Sequence, residues 1–141
     1  NDRLVVVKVR PAQPKHPIAA VSALVVQGGR LLLAERGRGP ATGTFAPPGG
    51  KIEPGEHPRS ALARELAEES SLAVLAIRLM ALVEVHSDGD YLLYVFCCQL
   101  ASAAVPIAHD DAVSLRWVAR EALGEVPLAP GVRSLLEGVA W

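Results

Sequence analysis

Glu65, Glu68 and Glu69 stand close together in the run Arg64-Glu65-Leu66-Ala67-Glu68-Glu69. On a helix, at about 100° per residue, Glu68 and Glu69 fall about 60° and 40° to either side of Glu65. Three carboxylates then crowd one face, and like charges that close repel unless a counter-charge joins them. A divalent cation is one such counter-charge, since Mg²⁺ binds through a few carboxylates together with substrate phosphates. The bland alternative is a solvated face on which Arg64 pairs with Glu68. The upstream segment favours the cation. Pro47-Pro48-Gly49-Gly50 cannot continue a helix and lets the backbone approach a ligand closely.

The elements that must hold these groups can be read around them. Pro58 suits a first helical turn, where its missing N–H would have no partner anyway. Arg59 to Glu69 is rich in good helix formers, and Leu62 and Leu66 flank the acidic face, ready to anchor it on a sheet. Glu56 stands just before the helix, where a carboxylate complements the dipole and can bond free N–H groups. Upstream, Leu4 to Val9 is strand-like and is broken off by Pro11, Pro14 and Pro17. It predicts either an extra strand or a contact in a homodimer. Ile18 to Gln27 and Leu31 to Arg36, joined through Gly28-Gly29, predict a hairpin. Gly37 to Gly43 reads as a loop. Downstream, Leu72 to Val85 predicts two strands or one bent strand, followed by a turn at Ser87 to Asp90 and a strand over Tyr91 to Leu100. A loop from Ala101 to Ala112 precedes a last strand at Val113 to Val118. Arg120 to Leu123 and Gly131 to Val139 suggest short helices. That order predicts a mixed sheet covered on both faces.

Composition narrows the classes. The 141 residues suffice for one ordinary domain, and 50% of them are hydrophobic, which argues against disorder. A net charge of -1 gives no electrostatic case for nucleic-acid binding. Arg78 and Glu84 interrupt the longest apolar stretch, so no membrane span is expected. Cys97 and Cys98 adjoin on one strand and point to opposite faces, which disfavours a bond between them. They read as reduced packing residues, too few for a zinc site, and with no recognisable leader they predict a cytoplasmic protein.

Gly50, Glu56 after five intervening residues, and Arg64-Glu65-Leu66-Ala67-Glu68-Glu69 after seven more together resemble the Nudix box. That motif belongs to hydrolases of a nucleoside diphosphate linked to another moiety. Ser71 is the one departure, where the pattern has glycine. The resemblance implies an α/β/α sandwich with a mixed central sheet over residues 17–141, residues 1–16 being an N-terminal strand or extension. It implies Mg²⁺, or Mn²⁺, on Glu65, Glu68 and Glu69 with the Gly50 carbonyl, and supporting roles for Glu56 and Arg64. The base that deprotonates water is either a box glutamate or an acid of a later loop, where Asp110 and Asp111 stand and Asp111 is the candidate. His109 reads as a surface residue and Trp117 as core.

For a small nucleotide substrate, Arg36 is a candidate for phosphate, Phe45 for stacking on the base, and Gly49 for close backbone approach. Gly39-Pro40, Phe45, Pro48-Gly49-Gly50 and Asp110-Asp111-Ala112 look most like ADP-ribose pyrophosphatases. Against them, Asp88 stands where many such enzymes carry proline, and Ser114 where glutamate is common. The competing class is the MutT-like hydrolase of oxidised nucleoside triphosphates, whose base reading resembles an asparagine. Asn1 is the only asparagine here, which favours ADP-ribose or a similar conjugate. A binding module without catalysis would have lost its acids, and these remain.

Overall fold

The computed structural model describes residues 4–7, 16–39, 41–87, 89–101, 112–139 and 141. Strand β2 (Ile18–Gln27) organises the sheet, and its residues Ala20 to Val25 are buried in succession. Such a run, apolar on both faces, is what a central strand between two layers requires. Gly28 and Gly29 follow with φ of 59° and 74°. Two successive positive φ values make the tight turn that returns the chain along β3 (Arg30–Arg36). β3 also pairs with β4 (Phe45–Ala46) and with β8 (Ala112–Ala119).

The first half of β2 lies between β5 (Gly49–Lys51), antiparallel to it, and β7 (Gly89–Leu100), parallel to it. β7 pairs with β6 (Val74–Ser87), and β6 in turn with β1 (Val5–Val7) in parallel. The sheet is therefore mixed, in the order β1-β6-β7-β2-β3-β4, with β5 beside β2 and β8 beside β3. β6 is one bent strand, because the pairing shifts register between Val74 and Ala76 and again between Leu79 and Ala81. The described part of the N-terminal segment is a strand of this same sheet.

Alternate residues feed two apolar layers. Val21, Ala23, Val25, Phe96 and Cys98 face Leu62 and Leu66 of helix α1 (Pro58–Ser70). Leu24, Ala81 and Val95 face Val132 and Leu136 of helix α2 (Val132–Gly138). Leu62 and Leu66 are fully buried, and burying a leucine contributes about 1.5–3 kcal/mol. A 3-10 helix (Arg120–Glu125) joins β8 to the C-terminal segment. Cys97 packs with the α2 layer and Cys98 with the α1 layer. Burial pushes the Cys98 thiol up to about 12, which keeps it inert. Among the described residues no helix is long and apolar enough to cross a membrane.

Candidate active site

The acidic helix starts from His57, whose Nδ1 accepts the Arg59 backbone N–H at 3.1 Å, with Pro58 in the first turn. Glu56 itself bonds no N–H of the helix among the described residues. Its carboxylate accepts the Glu53 backbone N–H at 3.0 Å and turns toward Arg64. The start of the helix is fastened to the sheet by Arg59, which donates to the Ile77 carbonyl at 2.6 Å and lies over the Phe96 ring. At the other end Ser71 takes φ 59° and ψ 20°, and its N–H bonds the Ala67 carbonyl. A serine here accepts the left-handed closure that usually goes to glycine.

Arg64 is the hub. It donates to both oxygens of Glu56, Nε to Oε2 at 2.8 Å and Nη2 to Oε1 at 3.0 Å. Nη1 reaches Glu65 at 2.8 Å and Glu68 at 3.3 Å, and Nη2 also meets the Lys51 carbonyl at 3.1 Å. Glu53 is a further carboxylate, 3.8 Å away. The pairing of Arg64 with Glu68 is thus present, as one bond of a larger network. The guanidinium fork, then the Glu53 N–H, hold the Glu56 carboxyl down at about 2. Bonding to Glu56 likewise raises the Arg64 guanidinium above its usual value. Glu65 moves the other way: its burial raises the carboxyl, and Arg64 opposes the shift.

Two carboxylates one turn apart meet the glycine loop. The Gly49 N–H donates to Glu69 at 3.1 Å. Gly50 sits against Glu65 so closely that a Cβ there would lie 2.5 Å from the carboxyl carbon. Gly49 itself is pressed on β2, where a Cβ would meet the Val21 carbonyl oxygen at 2.0 Å. At Gly49 the obstacle is backbone, whereas at Gly50 it is the end of a flexible side chain.

Among the described residues no three His, Cys, Asp or Glu side chains converge into a ready-made metal cage. The donors are nonetheless all carboxylate oxygens, the kind that suits a hard divalent cation. Glu53, Glu56, Glu65 and Glu68 share one arginine, so negative charge is left over. Glu65 and Glu69 are the carboxylates that meet Gly50 and Gly49 respectively. Mg²⁺ commonly completes its shell with water and substrate phosphate and needs few protein oxygens.

Other expected site residues fall elsewhere. Phe45 is only 3% exposed, and the Arg116 guanidinium lies over its ring at 4.7 Å. Its burial follows from pairing with the C-terminal segment, the Phe45 N–H donating to Pro127 at 2.7 Å and the Ala129 N–H to Phe45 at 2.9 Å. Arg36 is exposed at the end of β3, at the mouth of the loop that Thr44 and Gly43 close onto its backbone. Trp117 is half-buried against the α1 layer. Pro40, Asp88, His109, Asp110 and Asp111 lie outside the described residues. The roles of Arg59, His57 and the Lys51 carbonyl were not anticipated. His57 could have been found, since it immediately precedes the helix-starting proline.

Comparison with known proteins agrees with this geometry. The model of the NUDIX domain family matches residues 15–139. A Mycobacterium tuberculosis protein, provisionally named 8-oxo-dGTP diphosphatase 2, is 35% identical over 123 residues, covering 85% of this chain and 86% of its own. An ADP-ribose pyrophosphatase of Methanocaldococcus jannaschii is 36% identical over 75 residues, covering 53% of this chain and 43% of its own. The crystal structure of a MutT NUDIX hydrolase from Burkholderia pseudomallei superposes with a TM-score of 0.80 at 28% identity, over 89% of this chain and 100% of that one. With the box on its helix, the mixed sheet beneath it and these relatives, the chain belongs to the Nudix family and is a hydrolase of nucleotide derivatives.

Proposed function

We propose that the chain hydrolyses a nucleoside triphosphate, ordinary or oxidised, to the nucleoside monophosphate and pyrophosphate. The observation that carries this choice is coverage. The relative named for 8-oxo-dGTP matches this chain over 85% of its length, whereas the relative named for ADP-ribose matches over 53%. Phe45, a candidate for stacking on the base, is only 3% exposed, which lends the ADP-ribose reading no support. ADP-ribose stays as a second reading, because the 36% identity to that pyrophosphatase is as high as any above.

Either reaction has the same outline. A water oxygen forms a bond to phosphorus, the anhydride P–O bond breaks, and the water proton passes to a carboxylate. Glu65 and Glu69, with Glu68 and the Gly50 carbonyl, would hold Mg²⁺ or Mn²⁺. Bound there, the metal would offset phosphate charge and lower the pKa of a bound water. Arg64 positions Glu65 and Glu68, and Glu56 in turn fixes Arg64 by its two-pronged bond. Arg36, exposed at the end of β3, offers the phosphate a guanidinium. Asp111 or a box glutamate takes the proton.

The test is kcat/KM for 8-oxo-dGTP, dGTP, CTP and ADP-ribose under identical Mg²⁺ and pH, since specificity is a difference in transition-state binding. A triphosphate should lead, with pyrophosphate as product. A preference of about tenfold or more for ADP-ribose, roughly 1.4 kcal/mol, would reverse the choice and leave the family intact.

A further inference from the structure

A groove of about 540 Å³ runs between the 3-10 helix and α2, with Arg120, Arg133, Leu136 and Trp141 among its walls. It lies on the α2 side of the sheet, opposite the layer against which α1 packs. Its volume falls within the roughly 300–1,000 Å³ of small-ligand sites. Leu123, Leu136 and other aliphatic side chains make part of the wall apolar. The Arg120 guanidinium stacks on the Trp141 indole, 4.1 Å from the ring centre. Stacking fixes the plane of the guanidinium and leaves its N–H edges as a fork for an oxyanion. Arg133 and Glu137 also line the groove, at the i, i+4 spacing that commonly pairs. Among the described residues neither of them is held in an ion pair. Arg120, Arg133 and Glu137 thus bring two guanidinium groups and one side-chain carboxylate to a partly apolar wall.

We propose that this groove is a second ligand site that binds a small organic phosphate. The phosphate is held by Arg120 and Arg133, and the body of the ligand packs on Trp141 and the leucines. A nucleoside monophosphate is the member of this class that either reaction above releases. Only that choice of member rests on the proposed function; the match of anion to guanidinium does not.

The probe is AMP, titrated by calorimetry into the chain in EDTA, where metal-assisted phosphate binding is suppressed. One saturable site is expected. Arg133→Ala should weaken it by about tenfold or more, the loss typical of a charge-assisted contact. Glu137→Gln should tighten it, and both variants should keep the wild-type kcat on the preferred nucleotide. Inorganic phosphate should compete with AMP, and adenosine should bind more weakly than AMP. With Trp117→Phe, Trp141 is the remaining indole, and its emission should follow the same isotherm. No heat or emission change up to about 10 mM AMP, a ceiling near the millimolar limit of useful affinity, overturns the proposal. So does an unchanged isotherm in Arg133→Ala. Binding without turnover of any nucleotide would remove the proposed function and leave the groove standing.

Discussion

Arg64 makes the acidic cluster tolerable before any metal arrives, because one guanidinium bonds Glu56, Glu65 and Glu68 together. Glu69 is different. Its bond to the Gly49 N–H at 3.1 Å needs an acceptor oxygen and no charge. Glu69→Gln keeps that oxygen and removes the charge a cation needs. Turnover should fall at least about a hundredfold, roughly 2.7 kcal/mol of transition-state stabilisation, while the thermal midpoint holds. Near-normal turnover would withdraw Glu69 from the metal site. The neighbouring glycines separate stability from activity in the same way. In Gly49→Ala the new Cβ meets backbone, the Val21 carbonyl oxygen at 2.0 Å. Backbone within a paired strand cannot step aside, so the variant should lose roughly 1–3 kcal/mol of stability, as overpacked sites do. In Gly50→Ala the obstacle is the Glu65 carboxylate at 2.5 Å, the end of a flexible side chain. That variant should melt near wild type yet lose most of its activity. Melting curves and initial rates on both proteins check the pair, and a Gly50→Ala enzyme of normal activity would show the contact to be idle.

Helix α1 was readable almost to the residue, because proline, a run of helix formers and two spaced leucines all agree on it. Its surroundings were less readable. Glu56 is in the right place to complement a helix terminus, but its carboxylate bonds Arg64 eight positions on, and His57 supplies the cap. The bend of β6 comes from two register shifts against β7, a property of the pair that neither strand marks in its own sequence. Ser71 shows the opposite case, where the sequence posed the question and the structure answered it. With φ at 59° the serine accepts a conformation that costs a non-glycine residue about 1 kcal/mol. Ser71→Gly should relieve that cost and raise stability by up to about 1 kcal/mol. The glutamates face the loop from earlier turns, so kcat/KM should stay within about twofold, a change worth under 0.5 kcal/mol. Denaturant melts and steady-state kinetics test both halves, and a large gain in kcat would mean that serine disturbs the site.

Across the whole molecule, one sheet separates the carboxylate helix from the C-terminal segment, and alternation along β2 and β7 sends neighbouring side chains to each layer. The alternation was legible, but the return of Pro127 to Ala129 onto Phe45 was not, since nothing local to either segment announces the other. That return is why a plausible stacking ring is core. The same layout joins the loop at Glu53 and Glu56 to the helix through one arginine, Arg64, which makes folding sensitive to acid. The Glu56 carboxyl, ordinarily at 4.5, titrates at about 2 in the folded chain. A depressed carboxyl binds its proton more readily in the unfolded chain, so its stabilisation is complete above 4.5 and drains away as pH falls toward 2. Glu56→Gln cannot ionise and loses this dependence. In EDTA at constant ionic strength, wild type should melt above Glu56→Gln at pH 6, with the gap narrowing steadily between 4.5 and 2. A gap that stays constant through that window would mean the charge of Glu56 does not contribute to stability, and that its bonds to Arg64 are no stronger than those of an amide.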